Sequence, residues 1–481
     1  MASSLSSYAQ FGYFEDALRF GEFRSTGSAR ITGLGGTQMS LGGDISNIHT
    51  NPAGLGFFRR SEFSITPSFG NWRSESVFLN QSQTDNTGNF AIPNLSLVIS
   101  NPKAPLTSGA FRGGSFGISF NRTNHFNNQF GYFSDNPSAY SLLDYYANQY
   151  NANGEPPLRA PNGLPLDISL VFFDNAAGFV VDPDYAIGAP FADETYVTSG
   201  GSTQTSISYG ANFENKLFIG GSLGLSTINY TRSINYGEEF FDDAGVRALN
   251  WRLNENYRIN GFGANIGLGV IYKPIETVNL GFNFQSPTWY QMNREEDGEI
   301  AGDFFDVNGN LEFREDAVSD IVISRSSLST PLRLSGGATF FIGKSGFISA
   351  DVDYVDYSTS NIGSRDFNAN ADNQAIRNLY GATLNYRIGG EYRYNIWRVR
   401  AGYAFYGDPF NEKTIDRSTQ QISGGLGIRL SKMYVDFALS SSQFNQLYNS
   451  FPIINNGENE GPFTRIKNTR TNGMLTLGFN F

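Results

Sequence analysis

Between Gly381 and Tyr394 the residues alternate in character at every second position. One face carries Ala382, Leu384, Tyr386, Ile388, Tyr392 and Tyr394; the other carries Thr383, Asn385, Arg387, Glu391 and Arg393. A period of two means an extended strand whose faces meet different surroundings. Pro331–Gly343 repeats the pattern, with Leu332, Leu334, Ala338, Phe340 and Ile342 against Arg333, Ser335 and Thr339. The final stretch places Leu475, Leu477, Phe479 and Phe481 on one side. Such segments recur near 62–70, 92–100, 114–124, 202–213, 217–231, 257–272, 277–291, 331–343, 346–357, 380–394, 396–406, 420–430, 433–443 and 469–481. That is about fourteen, an even number, as bacterial membrane barrels require. Their connections alternate in length. Glu214–Lys216, Lys273–Glu276, Lys344–Ser345, Asn395 and Ser431–Lys432 are short, and 101–113 is longer but lies on the same side. Long connections are expected at 71–91, 125–201, 232–256, 292–330, 358–379, 407–419 and 444–468. Short turns at one end and long loops at the other are the organisation of an outer-membrane barrel.

Composition agrees with an all-β membrane protein. Charged residues are 16% of the 481, aromatics 15%, and there are 54 glycines and 42 phenylalanines. No run approaches the roughly 18 apolar residues of a membrane helix. With no cysteine, a disulfide scaffold and a thiolate metal site are excluded. A net charge of -11 argues against nucleic acid as a partner. Met1–Gln10 lacks the basic start and apolar core of a signal peptide, so the targeting signal of a bacterial outer-membrane protein is expected to be absent from this sequence. Trp72, Trp251, Trp289 with Tyr290, and Trp397 fall at strand ends, where an interfacial girdle would put them.

The stretch Ala29–Phe58 is of another kind. Its glycines deny it a regular helix or strand, yet Ile31, Leu34, Met39, Leu41, Ile45 and Ile48 make it too apolar for a solvated linker. An irregular apolar segment needs a container that satisfies its backbone, and the barrel lumen is one. Residues 1–58 are therefore read as an N-terminal segment and plug, and 59–481 as the barrel. Phe14–Phe20 (FEDALRF) is expected to form one or two helical turns.

Ser28-Ala29-Arg30, Gly33-Leu34-Gly35-Gly36, Leu41-Gly42-Gly43-Asp44, Asn51-Pro52-Ala53-Gly54-Leu55 and Ser61-Glu62-Phe63-Ser64 together resemble the FadL/TodX-type transporters of hydrophobic compounds, in a Bacteroidetes-like branch. The resemblance implies a fourteen-stranded barrel plugged from the periplasmic side by a hatch containing Asn51, Pro52 and Ala53. It also implies passive uptake of hydrophobic small molecules such as long-chain fatty acids, with no cofactor, no catalysis, and outer-membrane lipids as surroundings. Two other readings stay open: a cargo-binding barrel of type IX secretion with a protein partner, and a general porin.

Candidate sites follow from position. Tyr140–Tyr150 and Leu166–Val181 are the apolar parts of the longest loop, and Leu142, Leu143, Tyr146, Leu170, Val171, Phe172 and Phe173 are candidates for an external hydrophobic groove; the alternative is packing of the loop on itself. By parity Arg333, Asp351, Asp353, Arg387, Glu391, Arg393, Arg398 and Arg400 face the lumen. They could anchor a ligand carboxylate or brace plug and wall. The two histidines, His49 and His125, form no triad with a serine and an acid and are expected to be structural. Asp306–Asn310 starts like a calcium loop, but Leu311 occupies the position that needs glycine, so an exposed acidic loop is expected and no metal. Gly261, Gly263, Gly267 and Gly269 are expected to face the lumen and make room for the plug.

Overall fold

The computed structural model describes residues 13–481 apart from 26, 104–108, 135–136, 139, 157–159, 456–457 and 460; the reading of Met1–Gln10 lies outside the described residues. Fourteen antiparallel strands close into a barrel. They are β1 (Glu62–Phe78), β2 (Gln81–Pro102), β3 (Phe111–His125), β4 (Phe191–Phe213), β5 (Leu217–Phe241), β6 (Arg247–Ile275), and β7, which runs Val278–Gln285 and, past a break, Trp289–Phe305. β8 comprises Leu311–Val318, Val322–Ser329 and Arg333–Ile342, and is followed by β9 (Gly346–Asp356), β10 (Ala382–Tyr394), β11 (Trp397–Tyr406), β12 (Thr419–Arg429), β13 (Met433–Asn449) and β14 (Phe463–Asn480). β1 pairs with β14, Phe63 lying opposite Phe479, which closes the cylinder.

The barrel is inside-out. On β10, Leu384, Tyr386 and Ile388 are exposed outward while Thr383, Asn385 and Arg387 are buried. A continuous outward apolar band has lipid as its matching solvent. No helix among the described residues is long and apolar enough to cross a membrane; the crossing is made by strands. About ten tilted residues per strand suffice for the hydrocarbon layer, and β9 to β12 are little longer than that. β4 to β8 continue well beyond it, so one side of the wall stands far above the membrane.

That height corrects the expected loops. The segments 71–91, 232–256 and 292–330 are mostly strand, joined by tight turns such as Leu79–Asn80, and much of 444–468 is strand too. Over 74–89 both faces are largely polar, and at 234–253 the apolar face turns inward instead, Ile234, Tyr236, Phe240, Leu249, Trp251 and Leu253 packing with the loop residues. Without an outward apolar face these stretches lack the membrane pattern while the ladder persists. The girdle is also corrected. Trp289 and Trp397 face outward, but Trp72 hydrogen-bonds Asn468 on the lumen side (2.8 Å), and Trp251 is fully buried outside the membrane.

The long loop between β3 and β4 has a core of its own. It contains α3 (Leu142–Asn153), α4 (Leu164–Asp167) and a hairpin, Val171–Asp174 with Gly178–Val181. Ser141 caps α3 by accepting from Leu143 N–H, and Asp144 returns a bond to the cap, a capping box. Leu142, Leu143, Leu170 and Val171 pack with Phe240, Leu249 and Trp251 of the tall wall.

The N-terminal segment fills the lumen. α1 (Phe14–Gly21) sits high, and α2 (Ala29–Gly33) and two 3-10 turns, Ile45–Ile48 and Pro52–Phe57, sit at the base. Asn51 caps the second turn through Ala53 N–H (3.2 Å) and donates to Met39 O (2.6 Å), and Pro52 opens it. The wall meets this backbone with glycine. A Cβ on Gly210 or Gly220 would lie under 3.0 Å from Pro52, on Gly269 from Asn51, on Gly281 from Met39, on Gly389 from Leu34, and on Gly402 from Gly35. These glycines come from β4, β5, β6, β7, β10 and β11 in turn; five of them meet plug backbone and Gly269 meets the Asn51 side chain and the Pro52 ring, so the plug sits close against the wall around much of the circumference. Of the four β6 glycines expected to do this, only Gly269 does. Gly261, Gly263 and Gly267 also face inward, but toward the Met292, Tyr290 and Ser222 side chains of neighbouring strands.

Candidate functional site

Two cavities lie one above the other on the lumen axis. The upper is an external cleft of about 380 Å³ between α3 and the tall wall, lined by Tyr145, Tyr146, Tyr150, Arg232, Glu255 and Tyr257 among others. Burial pushes the Tyr145 hydroxyl up to about 12, with the Glu255 charge adding to the effect. Glu255, some twenty residues from the short turn at Ile275 and so clear of the membrane, is pushed up to about 7 by burial against the pull of Arg232. The cleft thus presents aromatic faces with a few polar groups, the composition of an amphipathic-ligand site.

The lower cavity, about 100 Å³, is a polar chamber. Phe20 to Phe23, Thr123, Asn124, Gln204, Ser226, Thr288 and Arg333 are among its walls. The Arg333 guanidinium lies over the Phe23 ring at 3.4 Å from its centroid and bonds Gln285.

α1 is the partition between them. On the cleft side Tyr257 donates to Asp16 Oδ2 (3.0 Å); on the chamber side Phe20 and Gly21 line the cavity. Phe14, Ala17 and Phe20 pack among Phe126, Ile228, Tyr230 and Ile376. Arg19 pairs with Glu15 and Asp16 on α1 itself and lies over Tyr230 (4.8 Å). From above, α5 (Asn370–Leu379) supplies Asp372, whose Oδ1 accepts from Phe14 N–H (3.1 Å), and Tyr13 stacks on Phe367 (3.8 Å).

Beside the chamber the wall has a seam. The β2–β3 ladder stops at Asn94 opposite Asn121, whereas β1–β2 pairing continues to the tip at Phe78 opposite Gln81. β3 follows β4 instead, with a register shift between Arg122 and Asn124. Above Asn94 the two edges are joined by side chains: Asn89 to His125 (3.2 Å) and Asp85 to Gly131 N–H (2.9 Å). Thr123 and Asn124, at the shift, belong to the chamber wall.

The predicted lumen charges sort by height. Only Arg333 reaches the chamber. Arg387 pairs with Asp353 and Asp351, and Asp351 Oδ2 accepts from Gln38 N–H (2.7 Å) and Met39 N–H (3.0 Å) of the plug. Arg400 joins Glu391 (2.8 Å) and Asp436 (2.7 Å), and Arg30 of α2 reaches Glu391 (3.4 Å) and Asp44 (3.5 Å). Arg393 and Arg398 line a third cavity at the short-turn mouth. Of the seven groove residues, Tyr146 lines the cleft, Leu142, Leu143, Leu170 and Val171 are sealed in the loop core, and Phe172 and Phe173 stand exposed on the hairpin. The loop is apolar there because it folds as a small domain. His49 closes a plug turn, and Asp306 accepts from Asn308 and Asn310 in an exposed turn. Sequence reasoning missed Arg232, Tyr257 and the chamber side chains other than Arg333; Gln204, Ser226 and Tyr257 lie within expected strands, but nothing in the alternation distinguishes them from other inward-facing residues.

No family model matches the sequence, and no curated protein does. Solved structures do match. A Pseudomonas aeruginosa FadL homologue aligns with a TM-score of 0.57 at 13% identity, covering 96% of this chain and 100% of that one. The P. putida toluene transporter TodX gives 0.55 at 12%, over 95% and 99%. The Ralstonia pickettii toluene transporter TbuX gives 0.50 at 15%, over 95% and 99%. The chain has the FadL-type fold. In this FadL-type barrel the cleft, partition and chamber follow one another from the long-loop end inward, above the plug, with the seam beside the chamber.

Proposed function

We propose that the chain is an outer-membrane channel for the passive uptake of hydrophobic small molecules, and not an enzyme. The observation that supports this best is the succession of cavities above a base closed by backbone contact. An aqueous solute has no straight way through, whereas an apolar one leaving the chamber at the seam would pass directly into lipid. The similar structures, toluene transporters among them, agree with this direction. Long-chain fatty acids are the finer reading: Arg232 and Arg333 would meet a carboxylate at the two stages, and the aromatic cleft and α1 surface would meet its chain.

The chain has no cysteine, so a pair introduced as Asn89→Cys and His125→Cys forms the sole staple across the seam. In proteoliposomes, the reduced protein should speed oleate and toluene entry over empty vesicles, and oxidation should abolish the gain. Unchanged entry in the stapled form would move the exit elsewhere. No entry in either form, with a protein retained through purification, would replace uptake by the cargo-barrel reading.

A further inference from the structure

The lysines of this acidic chain are not scattered. Of the seven, Lys103, Lys216, Lys273, Lys344 and Lys432 lie at or beside the short turns; Lys413 and Lys467 do not. Arg59 and Arg60 join them just before β1. At one point of this rim the cations line a common recess. A notch of about 460 Å³ is walled by Arg59, Pro102, Lys103, Arg112, Glu214 and Asn215. Separate parts of the chain build it: Arg59 after the plug, Pro102 and Lys103 at the end of β2, Arg112 at the start of β3, and the β4–β5 turn. The turn is held in shape by Asn212, which bonds Asn215 through both side chain and backbone (2.9 Å each). Arg59 is held at its lip by Asn215 Oδ1 (2.6 Å). Lys103 lies over the Phe111 ring at 4.7 Å from the centroid.

The wall directly above is apolar and faces lipid. Phe111 packs on Phe213 (5.7 Å). Next along the ladder Phe116 stands opposite Tyr209 and beside Ile99, and Ile118 opposite Ile207; all five are exposed. A cationic recess at the edge of the membrane, continued by an outward aromatic and aliphatic track, is matched by one molecule with both parts.

We propose that this notch is a binding site for an anionic glycerophospholipid of the leaflet at the short-turn end. The headgroup phosphate lies among Arg59, Lys103 and Arg112, and the acyl chains run over Phe116, Tyr209 and Ile207. Charge complementarity favours the anion, since three cations face the single carboxylate of Glu214, and each basic group near a lipid surface adds to the attraction. The apolar track favours a lipid over an acidic peptide, which would leave it uncovered. This site is independent of the uptake path, which opens at the other end of the barrel.

The test is native mass spectrometry of the full chain released from detergent micelles containing dioleoyl-phosphatidylglycerol or dioleoyl-phosphatidylcholine. The wild type should retain the glycerol lipid at least tenfold more than the choline lipid. The triple variant Arg59→Gln, Lys103→Gln, Arg112→Gln should lose that preference. A triple of equal charge elsewhere on the rim, Lys273→Gln, Lys344→Gln, Lys432→Gln, should keep it, and Glu214→Gln should strengthen it. Lys103→Gln alone changes one exposed side chain and should cut the preference severalfold even if the triple variant does not fold. Equal losses in the two triples, or no preference in the wild type, would overturn the site. So would an acidic peptide, oligo-glutamate, that binds where phosphatidylglycerol does not.

Discussion

Replacing Gly281 by alanine tests whether the plug is seated through the wall glycines. The new Cβ would lie under 3.0 Å from Met39 O and from Ser40 Cα. The plug segment cannot retreat freely. Asp351 holds Gln38 N–H and Met39 N–H from the wall side, and Asn51 Nδ2 holds Met39 O. Overpacking of this kind costs about 1–3 kcal/mol, which at about 1.4 kcal/mol per decade lowers the seated-to-unseated ratio by about 5- to 150-fold. Gly336 is the control. It lies on β8 opposite Phe282, one residue from the partner of Gly281, and a Cβ there would meet nothing nearer than 4.0 Å. In planar bilayers the wild type and Gly336→Ala should be almost silent to ions, while Gly281→Ala should show brief openings at raised frequency and a lower unfolding temperature. Equal conductance and equal stability in the two variants would refute seating by backbone contact.

Arg387→Met strands Asp351 and Asp353 without their cation, and loss of one partner of a buried pair costs about 3–5 kcal/mol; the denaturant midpoint should fall, and Asp353→Leu added to it should restore part of the loss. Phe20→Ala, which removes an aromatic side chain from between α1 and the wall, should cost α1 about 3–5 kcal/mol of packing and speed maleimide labelling of Ser226→Cys in the chamber. Glu238 stands beyond the membrane and accepts from Ser141 Oγ, Leu142 N–H (2.8 Å), Tyr236 and Trp251 Nε1 (3.2 Å). Burial pushes its carboxyl up to about 7. A raised acid stabilises the fold fully below its unfolded value of about 4.3 and loses that contribution as pH rises through 7. Hydrogen exchange in α3, corrected for the intrinsic rate, should therefore be faster at pH 8.5 than at 5.5, and Glu238→Gln should flatten the difference.

The barrel was legible because lipid imposes a rule on every residue of the crossing segment: apolar outward, polar inward. Thr383 to Tyr394 obey it, and each of the fourteen strands appears at its expected place. Where lipid ends the rule ends, so Ser74 to Asn89 read as loop although they are a hairpin. The plug was legible for a related reason. A run such as Gly33 to Gly43 is too apolar for water and too rich in glycine for regular structure. Its receiving surface was not legible, because Gly210, Gly220, Gly281, Gly389 and Gly402 are single residues on separate strands, and only closure of the barrel brings them to one level. The same holds for the seam, since nothing in residues 81–93 or 122–133 taken separately states that their edges fail to pair.

The two ends of the N-terminal segment are held by different means, and this locates motion. The base is fixed by close backbone approach and by buried ion pairs, of which Arg30 with Glu391 and Asp44 is one. Unseating it would expose many such contacts together, so intermediate positions are costly. α1 is held by side chains: three apolar residues, a Tyr257–Asp16 bond, an N–H to Asp372 and a stacked Tyr13. Such contacts can be exchanged one at a time for contacts with a ligand of similar apolar character, so a ligand in the cleft can stabilise a displaced α1 by replacing what α1 loses. The base offers no such exchange. Displacement of α1 alone would leave that base in place, and Thr123 and Asn124, beside the seam, are already among the chamber walls.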